Sequence, residues 1–493
     1  MSLHAQLSPQ ARQRYDTERR SSTILSVVIS ILSVTLVVLV LAFLILELPA
    51  KSVPAIGIIA SGKIPDDPPP RKEVNIFRKP SPAPGGAPSR IIVALSQTNL
   101  AIPTPEVTPG EVEPFGDGTG FGDGIGEDSG FPSGFNPIPL GPSAKRCSKQ
   151  DRLKRLEETG GPVEVEEAVV KALRWLKDHQ NQDGSWGTGN KVGMTGLALL
   201  AYLGHCETPV SEEFGQSCTD GIVYLLDLSA KNKGRMATNF QNKHWPYEHA
   251  LATYALAEAL SFAKVFHYNL PGHHQAVQAS GQWIIDNQHR SGGWDYSYDE
   301  AGGRGGDLSV TGWHVQALKA CKSAGVEYRH LTACVRRALA YVEARQAANG
   351  GFGYTGTTPA GGGVYSLTGV GSLSFQIWGK TSHSAARKGV KYLQKNGILD
   401  YNGTQSDLYA HYYHSQAMMQ HGGQAWAGYN HNFAPQLLEA QQADGAFAPP
   451  GGGGKVEAVG GLFTGNSAEA LIYRNCLCTL MLEVYYRYLP GTS

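Results

Sequence analysis

One pattern returns down the C-terminal two-thirds of this chain and restricts what it can fold into. Over sixteen residues it reads Lys171, Ala172, Trp175, Leu176, Gln180, Gly184 and Trp186. Trp283, Ile284, Gln288, Gly292 and Trp294 repeat it at the same offsets, as do Arg337, Ala338, Tyr341, Val342, Gln346, Gly350 and Phe352. A weaker copy keeps Gln441, Gly445 and Phe447. Self-similarity of this kind marks a repeat architecture, in which each unit buries its apolar face only against its neighbours.

The residue types predict the shape of the unit. The basic, small and aromatic–aliphatic positions fit one helix with its apolar pair turned inward. The Gln falls about one turn later, near the helix end, where a side-chain amide satisfies free carbonyls. The Gly breaks the helix, and the aromatic after it folds back onto the unit. A second apolar helix follows each strong copy, at Val192 to Leu203, Leu308 to Ala320 and Leu367 to Trp378. Outer helices are expected to start near Glu166, Cys218, His274, Leu331, Ser384 and Phe433, the second and fifth lacking the full signature. Six hairpins of roughly fifty residues, with no polar capping unit at either end, fit a closed double ring better than an open solenoid.

The pattern resembles the glutamine–tryptophan repeat of the squalene/hopene cyclase and protein prenyltransferase superfamily. The resemblance covers about 165–490 and implies an all-α fold, an (α/α)6 toroid of six helical hairpins, placed here at residues 161–490. It says less about activity, because the repeat is structural and one fold carries many functions.

In a toroid of this class the inner helices start at one mouth of the barrel, where their positive dipole ends converge. The first turns supply Thr195, then Tyr247, Glu248 and His249, then Asp307, Ser309, Thr311, Trp313 and His314. Thr368, Asp407, His411, Tyr412, His414, Gln416, Arg474 and Glu483 follow. Candidate catalytic groups are Asp307, Glu248 and His249. Candidate ligand-binding groups are Trp313, His411, Tyr412, His414 and Thr311. Each has a structural alternative: Asp307 as a helix N-cap, the threonines as caps or back-bonding hydroxyls. These groups are expected around one shared cavity.

The family motifs are depleted. Prenyltransferases hold zinc with an Asp, a Cys and a His, and the similar segment Asp307–Leu308–Ser309 has Ser in place of the thiolate, so no metal or cofactor is expected. Squalene–hopene cyclases protonate their substrate from an Asp–x–Asp–Asp cluster, and the segment Asp307, Leu308, Ser309, Val310 keeps only the first acid. The first expectation is therefore a non-enzymatic module that binds an apolar, isoprenoid-like ligand or a protein partner. The alternative is a terpenoid cyclase or isomerase with a non-standard general acid.

Charge is balanced, 42 basic against 42 acidic residues, which excludes a nucleic-acid partner on electrostatic grounds. Residues 1–23 are basic, with Arg12, Arg14, Arg19 and Arg20. Ile24 to Leu46 carry no charge and are long enough to span a bilayer once, giving a transmembrane helix at 24–47. The charge bias puts the N-terminus in the cytoplasm and the toroid outside an inner membrane. Ser26, Ser30 and Ser33 share one face of that helix, which meets either a second helix or its own backbone. Residues 48–160 read as a Pro- and Gly-rich disordered linker. A basic end, an anchor and a Pro-rich spacer are similar in layout to a TonB-type energy transducer, which implies an ExbB/ExbD-like motor as partner through the Ser26, Ser30 and Ser33 face.

Of seven cysteines, Cys206 and Cys218 flank one inter-hairpin loop, and Cys321 and Cys334 flank the matching loop two units on. The repeated placement suggests bridges 206–218 and 321–334, or else four separate buried thiols.

Overall fold

The computed structural model describes residues 146–355, 364–403, 405–451 and 465–487. Apart from isolated β-bridges, the regular elements among them are helical. After α1 (Lys149–Thr159) come six hairpins of an outer and an inner helix. They are α2 (Glu164–Asp178) with α3 (Lys191–Gly204), α4 (Gly215–Lys231) with α5 (Trp245–Val265), and α6 (His273–Asp286) with α7 (Leu308–Ser323). The other three are α8 (Leu331–Glu343) with α9 (Tyr365–Gln376), α10 (Ser384–Asn396) with α11 (Leu408–His421), and α12 (Gly423–Ala440) with α13 (Ala468–Leu482). A short α14 (Val484–Arg487) ends the described chain.

The inner helices α3, α5, α7, α9, α11 and α13 each pack on the next, and α13 packs back on α3, so the ring closes. They are buried on nearly every side, and their buried residues include polar ones such as His314, Gln316, His411 and Gln416. Small residues bring them close. A Cβ on Gly196 would touch the backbone of Leu251 in α5, and one on Gly312 would collide with Val370 in α9.

The repeat residues fasten unit to unit. Gln180 Nε2 donates to Gly184 O (2.9 Å) in its own loop and to Ser217 O (3.0 Å) in the next outer helix. Gln288 does the same to Gly292 O and Cys334 O, and Gln346 to Gly350 O and Ala385 O. Gln441 reaches Ala168 O of α2 (2.8 Å), so the weakest copy of the motif joins the last unit to the first. The indoles of Trp186 and Trp294 donate to Leu176 O and Ile284 O near the ends of their outer helices. Inner-helix threonines hold the aromatic from the other side: Trp186 N, Trp294 N and Phe352 N donate to Thr195, Thr311 and Thr368 Oγ1.

Gly292 has φ +94°, and a Cβ there would collide with the carbonyl of Arg337 in α8. Gly292→Ala therefore combines left-handed strain with a clash against backbone. It is expected to cost about 3 kcal/mol, read as a shift in the urea midpoint.

Several expectations are corrected. Residues 146–160, assigned above to the linker, fold onto the toroid: α1 packs on α2 and α14. Arg146 is buried at the base of the ring, 2.9 Å from Glu258, and Arg487 reaches the other oxygen of that carboxylate at 2.6 Å. The sixth outer helix starts at Gly423, ten residues before Phe433. Gly422 and Gly423, both at positive φ, turn the chain directly from α11 into it. Neither expected disulfide forms. Cys206 pairs with Cys147, 59 residues away, and Cys218, Cys321 and Cys334 are buried free thiols. The placement in an inner membrane is also corrected: no helix among the described residues is long and apolar enough to cross one. The expected anchor at 24–47, its Ser26, Ser30 and Ser33 face and the TonB-like spacer lie outside the described residues.

Candidate functional site

Asp307 stands at the N-cap of α7 with its side chain almost fully buried. Its backbone N–H donates to Trp294 O (2.8 Å), and Leu308 N–H donates to Tyr354 O (2.9 Å), so two repeat loops fix its position. Ser309 N–H and Ser309 Oγ–H both donate to Oδ1, at 2.8 and 2.5 Å. Arg304 Nη2 donates to Oδ2 at 2.7 Å. Buried Asp295 accepts from the backbone N–H of Arg304 (2.5 Å) and so shapes the loop that carries this arginine.

Burial raises the Asp307 carboxyl from its ordinary value. The Ser309 hydrogen bonds and the Arg304 charge oppose that shift, and the nearby Asp295 carboxylate adds to it. Desolvation dominates because Arg304 is half exposed and screened by solvent.

Aromatic side chains surround the acid. Tyr247 of α5 lies 2.6 Å from Ser309 Oγ through its hydroxyl and 3.1 Å from the Tyr296 hydroxyl. Arg304 lies over the Tyr296 ring, 4.9 Å from its centroid. Tyr409 of α11 donates to Ser309 O at 3.0 Å. Deeper, Trp313 stacks on Tyr412 at 5.0 Å and meets Tyr413 edge-on at 5.3 Å. Gln316 Nε2 donates to Gln416 Oε1 at 3.2 Å. Side chains of α7 and α11 thus meet past α9.

The structure brings together Asp307, Trp313 and Tyr412 from the expected set. It does not bring the histidines to them. His249 accepts from Met236 N (3.0 Å) through Nδ1 and faces Ser280 O on α6 through Nε2. His411 has Tyr429 of α12 on Nδ1 (3.0 Å), with Gln405 O (2.8 Å) and the Tyr365 hydroxyl on Nε2. His414 faces Tyr365 O at 2.9 Å. His249 and His411 are tied to the outer helices α6 and α12, and His414 to the first residue of the inner helix α9. Thr311 is likewise engaged with the Trp294 backbone. No cluster of three or more His, Cys, Asp or Glu among the described residues could hold a metal.

Glu248 faces the N-terminus of α3, accepting from Val192 N and Gly193 N at 3.2 and 3.3 Å, so it caps a neighbouring helix that has no side-chain cap of its own. Burial nevertheless raises its carboxyl to about 7. A carboxyl raised on folding contributes stability below its unfolded value, near 4.5, and loses it as pH climbs through 7. Glu248→Gln keeps an acceptor for both N–H groups. It is expected to be more stable than the parent by about 2–3 kcal/mol at pH 8 and equal to it at pH 4, by urea denaturation at both pH values.

Sequence reasoning did not single out Asp295, Tyr296, Arg304 or Tyr409. Three of them sit in an irregular loop without periodicity. A concavity of about 880 Å³ lies elsewhere, at the base end, lined among others by Gly160, Met419, Trp426 and His431. It contains none of the expected site residues.

No family model and no curated protein matches this chain. Among solved structures it is similar to the type II terpene cyclase MstE from Scytonema. An Asp→Asn variant in complex with geranylgeranyl dihydroxybenzoate aligns at 10% identity and TM-score 0.42, covering 69% of this chain and 99% of that one. An Asp→Ala variant in complex with merosterolic acid A aligns at 10% identity and TM-score 0.43, with the same coverage.

Proposed function

We propose that the toroid is a terpenoid cyclase or isomerase in which Asp307 protonates an alkene of an isoprenoid substrate. The carrying observation is the environment of that one carboxyl. Burial shifts its carboxyl toward the neutral, proton-bearing form. Ser309 N–H and Arg304 are already aimed at the carboxylate left when the proton departs, and the Ser309 hydroxyl lies 2.5 Å from it. Donors preorganised for the charge that develops stabilise the transition state more than the ground state. The cation formed on the substrate would face Tyr247, Tyr296, Tyr409 and Trp313, whose π-faces attract positive charge.

A binding module is the competing reading. It is favoured by the hydrogen bond from Ser309 N–H to Asp307, which makes the carboxylate a helix cap. The two readings separate on incubation of the full chain with squalene and shorter linear isoprenoids, with chromatographic product analysis. Cyclised isomers are expected, and Asp307→Asn is expected to lower their rate by about 10³-fold. No product from the parent, with ligand binding unchanged in Asp307→Asn, overturns the enzyme reading in favour of the binding module.

A further inference from the structure

We infer that Ser309, Tyr247 and Tyr296 form a proton relay that reloads Asp307 from solvent. The inference rests on the proton-donor reading above and adds a role for three residues that the reading does not itself require. Asp307 is 1% exposed, so water does not reach its carboxyl directly. Tyr296, three oxygens away, is partly exposed. Between them runs an unbroken line of hydroxyls. Asp307 Oδ1 to Ser309 Oγ is 2.5 Å, Ser309 Oγ to the Tyr247 oxygen 2.6 Å, and Tyr247 to the Tyr296 oxygen 3.1 Å.

Each hydroxyl has one proton to give and lone pairs to receive one, so the line has two polarities. With Asp307 neutral, the acid O–H points to Ser309, Ser309 to Tyr247 and Tyr247 to Tyr296. With Asp307 ionised, every bond reverses and Ser309 donates to the carboxylate. The chain needs no ionised tyrosine, because every oxygen passes one proton as it receives another. This matters because burial pushes the Tyr247 phenol well above its usual range. Tyr409 steadies the relay by donating to the Ser309 carbonyl at 3.0 Å.

The balance over a cycle is complete. The Asp307 O–H bond breaks, its electrons stay on the carboxylate, and the alkene π pair forms the new C–H bond. The terminal cation later loses a proton to solvent, so substrate and product are isomers. One proton then enters at Tyr296 and one arrives at Asp307. Ser309 stands where the resembling cyclase motif has a second acid, and a hydroxyl there can carry a proton without adding a second negative charge beside Asp307.

The test needs no substrate. The carbonyl stretch of protonated Asp307, assigned by its loss in Asp307→Asn, shifts when the acid proton exchanges for deuterium. Stopped-flow mixing of the full chain with D2O, at the pH where Asp307 is half protonated, reads the exchange rate. Tyr247→Phe, which removes one oxygen and keeps the ring, is expected to slow exchange roughly tenfold or more, and Tyr296→Phe to slow it as well. Exchange as fast as in the parent in both variants overturns the relay. The pH at which the band appears judges the other claim separately: a band confined to pH values well below the ordinary carboxylate range removes the proton-donor reading while leaving the exchange measurement intact.

Discussion

Acidification to about pH 3.5 is expected to unfold the toroid, and buried histidines are the cause. Burial lowers His249 and His314 to about 3 and His273 to about 4, and it holds His411 well below its ordinary value. Each ring is neutral in the fold and takes up a proton in the unfolded chain near pH 6.5. Their stabilisation is therefore present above about 6.5 and lost as pH falls, roughly 3 kcal/mol per histidine by pH 4. Buried acids work the other way. Glu248 and Glu483 are raised by burial, so they bind protons in the fold before they do in the unfolded chain. That compensation ends near pH 4.5, where unfolded carboxylates also protonate. The decline should be about half offset down to about pH 4.5 and steeper below it, against a total stability of roughly 5–15 kcal/mol. Urea midpoints at pH 7, 5.5 and 4 check this. Equal or greater stability at pH 4 than at pH 7 would mean that the histidines are not buried as described.

Glu258→Gln is expected to cost roughly 3–5 kcal/mol, the largest effect of any single substitution at the base. Glu258 is fully buried and meets Arg146 at 2.9 Å and Arg487 at 2.6 Å. The amide leaves two guanidinium groups in a dry site with one weaker acceptor between them. Glu483, 3.6 Å from Arg487, does not replace it, since burial keeps that carboxyl raised well above its ordinary value. The substitution should also loosen Arg146, and with it the segment that Cys147 ties to Cys206. A denaturation midpoint within about 0.5 kcal/mol of the parent would assign the network no role in stability.

The ring was legible in the sequence because its fasteners repeat. Gln180, Gln288, Gln346 and Gln441 keep one spacing to their Gly and aromatic partners, and each joins its outer helix to the next. Thr195 and Thr368 were read as rim groups or as back-bonding hydroxyls, and the second holds: each donates to the carbonyl one turn back and accepts from the N–H of the repeat aromatic. The histidines misled for a different reason. An inner helix buried on every side has no polar face, so its pattern does not tell the axis side from the outer-helix side. Asp307 was legible from its place at a helix start, but its partners Asp295, Tyr296 and Arg304 come from a loop whose folding follows no period. The Cys147–Cys206 bridge depends on α1 folding back across the base, which composition assigned to a linker.

Product formed in D2O is the most direct measure of the central claim, that Asp307 gives a solvent-derived proton to an alkene carbon. The account predicts cyclised isomers that carry one non-exchangeable deuteron in the parent, with Asp307→Asn forming none above background. Products without deuterium, or deuterated products formed equally well by Asp307→Asn, would contradict it.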